Sequence, residues 1–168
     1  VSLISGIHDL LPNRTGGAVM QKNLETLGDI QYSQEEIDFA IEMQKANGKP
    51  TLGIDGKIRP LRETLESPGG GSTDVGDVSY NVPVVSLAAT TAPKGVPWHS
   101  WSVVASSGMS IGHKGMLHAA KALGMSMIDI YKDKKLREEI KKEFDERIGD
   151  YNYDPYLNPG PPLIDYVD

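Results

Sequence analysis

Cysteine is absent from all 168 residues of the sequence. This absence excludes disulfide bonds, thiolate metal sites and a thiol nucleophile. A sequence without cysteine suits a reducing compartment, and we expect the protein to be cytoplasmic.

Long apolar runs are absent as well. The longest uncharged stretch, from Tyr80 to Ala92, is interrupted by asparagine, proline, serine and threonine. A membrane-spanning helix needs about 20 consecutive apolar residues. The sequence therefore predicts no membrane partner.

Unopposed positive charge is the third missing feature. The sequence has 17 basic and 23 acidic residues, which give a net charge of −6. The lysines of residues 132–142 alternate with acidic residues, whereas a protein that binds nucleic acid usually clusters lysine and arginine. We expect no nucleic-acid partner.

The residues that are present fit a soluble globular protein. Hydrophobic residues make up 39% of the sequence and charged residues 24%, which are ordinary proportions for such a protein. A length of 168 residues is typical of one domain with a core of its own. We therefore predict a single domain over residues 1–168.

Apolar periodicity predicts four main helices. The first covers about residues 16–27, and the second begins at a capping box formed by Ser33 and Glu36. Gly28 and Gly48 are predicted to end these two helices. A long helix is predicted over about 111–131, and a charged helix over 134–148. The long helix is expected to bury a stripe of Met116, Ala120, Leu123, Met127 and Ile130. The charged helix is expected to bury a stripe of Leu136, Ile140, Phe144 and Ile148.

Three segments have the composition of strands. They are residues 1–7, residues 83–91, which are apolar on both faces, and residues 99–107, which alternate loosely. Helices and strands thus alternate along the chain, and this order predicts an α/β fold.

A glycine-rich segment, residues 69–79, is the first candidate for chemistry. Glycine permits close approach of the backbone to a ligand, and Thr73 and Asp74 are good capping residues for a short helix whose amides could face an anion. A flexible turn followed by a helix cap explains the same residues.

Histidines provide the other candidates. His99 lies between Trp98 and Trp101, either as a metal ligand or as a packed side chain. His113 with Lys114 is either an anion-binding pair or a solvated first turn of the long helix. Two more histidines remain: His118 is expected in a core or an interface, and His8 has no partner in the sequence.

Taken together, these motifs resemble a known family. A Gly-Gly-x-Thr-Asp loop leading into a short helix, then an apolar segment, then Gly-x-x-x-His-Ser, resembles the zinc amidohydrolases of metallopeptidase family twenty. The strings STDVGDVS, PWHSW, SIGHKGMLHAAKAL and GIHDLLPNRT are similar to its aminobenzoyl-glutamate utilisation subgroup. The resemblance covers nearly the whole chain.

The resemblance implies a fold and a set of site residues. The implied fold is the C-terminal part of a three-layer zinc-exopeptidase-like catalytic domain, with helices packed on a mixed sheet. His99 corresponds to a metal ligand of the family, although Trp101 replaces the proline of the usual motif. The residues implied for the substrate cleft are Gly71, Thr73, Asp74, Asp77 and His113.

The implied function is metal-dependent hydrolysis of an amide in an N-acyl amino acid or an aminobenzoyl-glutamate-like molecule. Two divalent metals, expected to be zinc, would serve a complete enzyme. The general base and the other ligands are expected upstream, because this sequence has no His-x-Asp pair and no strand-end Glu-Glu in the corresponding place. The expected partners are a small amide substrate with a carboxylate, the N-terminal half of the same enzyme and, in the full-length protein, a second copy.

A non-catalytic binding or interaction domain derived from the same fold is the alternative. A carboxylate-binding module that uses the glycine-rich loop is a third hypothesis. Without the N-terminal half, we expect this chain to be inactive.

Overall fold

The computed structural model of the chain describes residues 5–62, 71–157 and 160. These residues form six helices: α1 (Arg14–Leu27), α2 (Gln34–Ala46), α3 (Val75–Ser79), α4 (Trp101–Ser107), α5 (Ser110–Lys132) and α6 (Lys134–Ile148). The chain divides into two compact units, of which the first contains Val1–Gly16, Arg62–Val85 and Lys135–Asp168. The second contains Gly17–Leu61 and Ser86–Lys134. None of these helices is long and apolar enough to cross a lipid bilayer.

The predicted α/β fold, with helices packed on a mixed sheet, is wrong for the described part of the chain, which contains helices and no strand. Of the three predicted strands, the segment 99–107 forms a turn and then helix α4 (Trp101–Ser107), and residues 83–91 form no regular element. The first, residues 1–7, lies partly outside the described residues. A β-strand is stable only when it is hydrogen-bonded to another strand, so an apolar segment that has no such neighbour forms no ladder.

Helix α4 shows why the loose alternation was misleading. Ser100 has an extended backbone (φ −124°, ψ 163°) and takes the N-cap position. Its carbonyl accepts hydrogen bonds from the amides of Val103 and Val104 at 3.1 and 3.4 Å. The Ser100 side chain makes no capping bond, so these backbone hydrogen bonds begin the helix, and they prevail over the period-two pattern.

The predicted helix boundaries are otherwise confirmed. Ser33 and Glu36 form both hydrogen bonds of the capping box that begins α2. Gly28, Gly48 and Gly149 follow α1, α2 and α6 with φ of 76°, 61° and 54°, a backbone conformation that glycine adopts without strain. The charged helix matches its prediction too, with Ile140 and Phe144 buried.

Helix α5 has the predicted length, but its orientation is the reverse of the prediction. Met116, Leu123 and Met127, which were expected in the core, are 58%, 42% and 69% exposed. The residues of α5 that are buried are mostly small: Ile111, Gly112, Gly115, Ala122 and Ser126. Small residues let a helix lie close to its neighbours: a Cβ added to Gly115 would meet the carbonyl oxygen of Thr90 at 2.2 Å. Close backbone packing, and not side-chain size, therefore decides which face of α5 is buried.

Hydrogen-bonded polar side chains form part of the interior of the second unit. The Asn23 amide donates to the Ser126 hydroxyl at 3.0 Å and to the Asp129 carboxylate at 2.9 Å. The Gln44 amide donates to the carbonyls of Gly53 and Lys94, both at 2.8 Å. Buried polar groups stabilise a fold only when they are hydrogen-bonded. The Asn23 bonds join α1 to α5, and the Gln44 bonds attach the segments that contain Gly53 and Lys94 to α2.

Candidate functional site

His8 is the centre of a hydrogen-bonded polar cluster in the first unit. It is 7% exposed. Its Nδ1 lies 2.7 Å from Oδ1 of Asp77, and its Nε2 lies 2.7 Å from the hydroxyl of Tyr151. The backbone amide of His8 also donates to Oδ1 of Asp77, at 3.4 Å. Both ring nitrogens are therefore engaged.

Tyrosines enclose the same imidazole. The Tyr156 ring stacks on it with centroids 4.4 Å apart and an interplanar angle of 16°. The rings of Tyr80 and Tyr153 lie at 5.1 and 5.2 Å. The Tyr153 hydroxyl donates to Oδ1 of Asp77 at 3.2 Å. We call His8, Asp77, Tyr80, Tyr151, Tyr153 and Tyr156 the His8 cluster.

Helix α3 carries Asp77 into this cluster through close backbone contact. A Cβ on Gly76 would lie 2.0 Å from the carbonyl oxygen of His8, so only glycine permits the approach. The buried Ser79 hydroxyl accepts from the amide of Leu11 at 2.8 Å and donates to the carbonyl of Gly76 at 2.6 Å. These contacts attach α3 to the segment that contains His8.

The pKa values of the cluster reflect these bonds. The hydrogen bond from the His8 ring is the main reason that the pKa of Asp77 is lowered. The hydrogen bond to Asp9, together with burial, raises the pKa of Tyr80 to about 12. Burial and the bond to Asp77 raise the pKa of Tyr153. Asp77 is therefore ionised and both phenols are neutral at ordinary pH, which is the protonation state that these bonds require.

Sequence reasoning did not find the His8 cluster. His8 lies 69 residues from Asp77 and 143 from Tyr151, so no local motif connects them. The one usable signal was the spacing of Tyr151, Tyr153 and Tyr156 after the last helix, because a polar terminal segment with this many aromatics is expected to pack on something.

The predicted residues of the glycine-rich loop are exposed in the first unit. Gly71, Thr73 and Asp74 are all exposed, while Gly69 and Gly70 lie outside the described residues. The Thr73 hydroxyl accepts from the amide of Val75 at 3.3 Å. Asp74 takes the N-cap position of α3 without a side-chain capping bond, so its carboxylate is not used in that helix.

His99 lies in a turn of the second unit immediately before α4. Its side chain is exposed, and its φ of 58° is the only positive φ among the non-glycine residues that the structure describes. The turn is held by the Ser100 hydroxyl, which donates to the carbonyl of Pro97 at 2.6 Å. A non-glycine residue in this conformation costs about 1–3 kcal/mol and occurs preferentially at functional sites.

The flanking tryptophans do not cover this imidazole as a core would. Trp98 and Trp101 are 72% and 59% exposed, so the interpretation of His99 as a histidine packed between them does not hold. No hydrogen bond, ion pair or ring contact involves the His99 side chain within residues 5–62, 71–157 and 160. Its nitrogens are therefore available to a ligand.

The two residues of the predicted anion-binding pair differ in their partners. Lys114 forms an ion pair with the buried Glu36 at 2.6 Å, donates to the carbonyl of Gln31 at 2.9 Å and lies 5.5 Å from the centroid of the Tyr32 ring. His113 is exposed. Lys114 thus joins α5 to α2, and His113 is the member of the pair that faces solvent.

Glu36 gains acidity from the same contacts. Burial alone would raise its pKa, but hydrogen bonds from Lys114, from Ser110 and from the Ser33 amide outweigh burial and lower the pKa to about 2. Glu36 is therefore a charged structural group and not a candidate general base.

A metal held by this chain would need ligands from elsewhere. No three His, Asp or Glu side chains within the described ranges are grouped so that they could hold a metal ion. The imidazole of His99 has the right chemistry for one coordinate bond to zinc, whereas a catalytic zinc site uses three protein ligands. His99 therefore fits the role of one ligand in a shared site.

Comparison with known proteins gives one informative result. The chain is 32% identical over 157 residues to one of the subunits of p-aminobenzoyl-glutamate hydrolase from Escherichia coli (strain K12). The aligned region covers 79% of this chain and 33% of that protein, so this chain spans about a third of the length of its curated relative. The sequence matches no known family profile, and a search of solved structures finds no similar fold. The chain is thus similar to part of a larger hydrolase polypeptide.

Proposed function

We propose that this chain is the C-terminal part of the catalytic domain of a metal-dependent amidohydrolase. The substrate class is an N-acyl amino acid or an aminobenzoyl-glutamate-like amide. The similarity to the p-aminobenzoyl-glutamate hydrolase polypeptide is the observation that carries the proposal. Because only a third of that protein is aligned, the activity belongs to a longer polypeptide, in which the general base and further metal ligands lie.

In this proposal His99 is the metal ligand that the chain supplies. Three observations support the choice: an exposed imidazole, no partner for it within the described residues, and a backbone held at a φ of 58°. Two divalent metals, zinc by preference, would supply Lewis-acid activation of the scissile carbonyl and of an attacking water when bound. His99 would present one nitrogen of its neutral imidazole to the metal in a fixed direction.

Substrate contacts are proposed for five residues, each of which is described within its own unit. The first unit contributes Gly71, Thr73 and Asp74, where the exposed loop offers amides and a hydroxyl to a carboxylate. Asp77 has Oδ1 occupied by the His8 cluster, so Oδ2 is the atom left for a substrate. The second unit contributes His113, whose imidazole faces solvent.

Of the proposed partners, only the partner subunit is supported by the name of the relative, which is one of the subunits of its hydrolase. We propose a partner subunit, the remaining part of the enzyme and a homodimer of the full-length protein as its assembly partners, and a cytoplasmic location.

The test compares this chain with the full-length hydrolase that contains it. We expect the isolated chain to release no glutamate from aminobenzoyl-glutamate and to bind zinc no better than a surface histidine does. The full-length enzyme is expected to be active and to lose activity with a chelator. His99→Ala in that enzyme should lower activity at least about 100-fold, because even groups that only orient a metal ligand contribute 10–100-fold.

His118→Ala is the matched control, since His118 is a half-buried histidine of the same unit that the proposal leaves out of the site. Chelator-sensitive turnover by the isolated chain would contradict the assignment of the activity to the longer protein. A full-length enzyme that binds substrate without hydrolysing it would favour the non-catalytic binding domain instead.

A further inference from the structure

Helix α4 has its polar and apolar sides reversed relative to an ordinary surface helix. Its buried residues are two serines, Ser102 and Ser106. Trp101 and Val104, on the other side of the helix, are 59% and 74% exposed, and Trp98, in the turn before the helix, is 72% exposed. A surface helix ordinarily buries its apolar side and exposes its polar side, so the orientation of α4 requires a different explanation.

Hydrogen bonds hold the serines of α4 inside the second unit. The Asn47 amide donates to the Ser102 hydroxyl at 2.7 Å. The Ser106 hydroxyl donates to the carbonyl of Ser102, also at 2.7 Å. A rotation of α4 that buried Trp101 would break the bond with Asn47. The second unit therefore keeps its tryptophans outside, and we call Trp98 and Trp101 the indole pair.

The indole pair has open binding capacity. Neither indole ring takes part in a hydrogen bond or a ring contact within residues 5–62, 71–157 and 160. Each ring thus offers an apolar face and an N–H donor. Tryptophan is highly buried on average, yet these two residues, the only tryptophans in the sequence, both lie on the surface. An exposed aromatic surface of this kind marks a binding site.

The indole pair flanks His99, the metal ligand of the proposed function. Trp98 and His99 are the two central residues of a turn, in which the Ser100 hydroxyl donates to the carbonyl of Pro97 at 2.6 Å. Two residues of chain span at most about 7 Å, so the Cα atoms of both tryptophans lie within about 7 Å of the Cα of His99. One hydrogen-bonded turn therefore positions the imidazole and the two indole rings next to each other.

The charge of this segment indicates which half of an amide substrate it fits. Residues 95–112 contain no Asp, Glu, Lys or Arg, although 24% of the sequence is charged. A substrate carboxylate would find no cation in this segment, whereas an uncharged aromatic ring would find two indole rings. In an aromatic amide the ring of the acyl group is bonded directly to the carbonyl carbon that water attacks. That ring therefore lies beside the reaction centre, as the indole pair lies beside His99.

We infer that the indole pair binds the aromatic ring of the acyl group and determines specificity for aromatic over aliphatic N-acyl amino acids, an inference that rests on the proposed function. Aromatic rings pack offset or edge-to-face, and this packing adds to the benefit of burying apolar area. An aliphatic acyl group gains only the burial. The reversed orientation of α4 then serves binding, since it places Trp101 where a substrate ring covers it.

Kinetics of the full-length hydrolase with two substrates test this assignment. Aminobenzoyl-glutamate and N-acetylglutamate share the amino acid and differ only in the acyl group. In Trp98→Leu and in Trp101→Leu, the ratio of kcat/KM for the aromatic substrate to that for the aliphatic one should fall about 10-fold, which corresponds to about 1.4 kcal/mol. Trp98→Phe and Trp101→Phe keep an aromatic ring and should retain most of the ratio.

Val104→Ala is the matched control. Val104 is exposed on the same side of α4 as Trp101, but it lies one helical turn further from His99 and has no aromatic ring. The ratio of kcat/KM for the two substrates should stay within about two-fold of the wild-type ratio.

Inhibition by the two halves of the aromatic substrate provides a second readout, which does not require turnover of N-acetylglutamate. Inhibition by p-aminobenzoate, which carries the ring, should weaken about 10-fold in both leucine variants. Inhibition by glutamate should not change. The bound metal per chain should equal that of the wild type, because His99 is intact in these variants.

The outcomes separate this assignment from the proposed function. A wild-type enzyme that hydrolyses neither amide would contradict the proposed function itself. With an active wild type, leucine variants that lose activity towards both amides equally, together with stability or bound metal, would show that the indole pair supports the fold or is covered by another part of the polypeptide. That result would overturn the specificity role. Leucine variants with unchanged ratios and unchanged inhibition, or a wild type that hydrolyses only the aliphatic amide, would overturn it as well.

Discussion

The two histidines that matter most in this chain have opposite surroundings. His8, in the first unit, is buried, both of its ring nitrogens are engaged, and a tyrosine stacks on its face. His99, in the second unit, is exposed, has no side-chain partner within the described residues and lies at a strained φ of 58°.

The difference separates folding from binding. A polar side chain whose bonds are all satisfied inside a unit stabilises that unit and has nothing left to offer a ligand. A side chain that is exposed, has no partner and lies on a strained backbone does not stabilise its unit. Backbone strain of this kind is expected where a bound ligand supplies the missing interaction. This comparison assigns His8 a structural role and supports the proposal that His99 binds a ligand.

The largest expected effect on stability belongs to His8. His8→Ala removes two hydrogen bonds and an aromatic stack and leaves the Asp77 carboxylate without its main donor, so we expect a loss of about 2–4 kcal/mol in the free energy of unfolding. Urea titration of the isolated chain measures this loss. Tyr151→Phe, which keeps the ring and removes one hydrogen bond, should cost about 1 kcal/mol. A His8→Ala variant that is as stable as the wild type would contradict the structural role of His8.

The second effect has the opposite sign. His99→Gly replaces a residue strained at a φ of 58° with the one residue that adopts this conformation freely, so the free energy of unfolding should rise by about 1 kcal/mol. The same titration detects the change, with His99→Ala, which keeps the strain, as the control. If the glycine variant is no more stable than the alanine variant, the backbone at residue 99 is not strained. If both variants are less stable than the wild type, the histidine side chain contributes to folding, and the contrast with His8 fails.

The third effect is the pH dependence of stability, and it concerns one carboxylate in each unit. Burial opposes ionisation of Glu143, but hydrogen bonds from the backbone of Arg14, from Thr15 and from Arg147 lower its pKa to about 2, the value that Glu36 also reaches. Both ordinary values are 4.5. Since the folded-state pKa is depressed, the stabilisation is complete above about pH 4.5 and is lost as the pH falls towards 2.

Denaturant titrations between pH 2 and 5 check this dependence. The wild type should lose stability steadily as the pH falls, while Glu36→Gln and Glu143→Gln should each be less stable at neutral pH and show a flatter slope in that range. Neither variant contacts His8 or His99. A change in the metal binding of either variant would therefore show that the carboxylate contribution to stability and metal binding are coupled.

Much of the helical structure could be predicted from local signals. The capping box of Ser33 and Glu36, the terminal glycines and the stripe that contains Ile140 and Phe144 depend on residues a few positions apart, and such signals act within one helix. The long helix was predicted with nearly its observed bounds for the same reason.

The failures share a non-local cause. The sheet prediction assumed neighbouring strands, and the described residues supply none. The stripe of Met116, Leu123 and Met127 was assigned to the core because its residues are large, yet the small residues on the other side of α5 pack more closely. Periodicity identifies an apolar face but does not say which molecule covers it.

The site was predictable only in part. His99 was identified from a short motif and its resemblance to a known family, and its exposure and strained backbone agree with a ligand role. The His8 cluster joins residues from three distant segments, and no pattern within a single segment indicates such an arrangement.

Metal content of the full-length hydrolase tests the central claim most directly. The purified wild-type enzyme, His99→Gly and His99→Ala are dialysed, and the bound divalent metal per chain is measured by mass spectrometry, with His118→Ala as the control. We expect both His99 variants to remain folded and to retain less metal than the wild type, and the His118 variant to retain as much. Unchanged metal content in both His99 variants would contradict the assignment of His99 as the metal ligand.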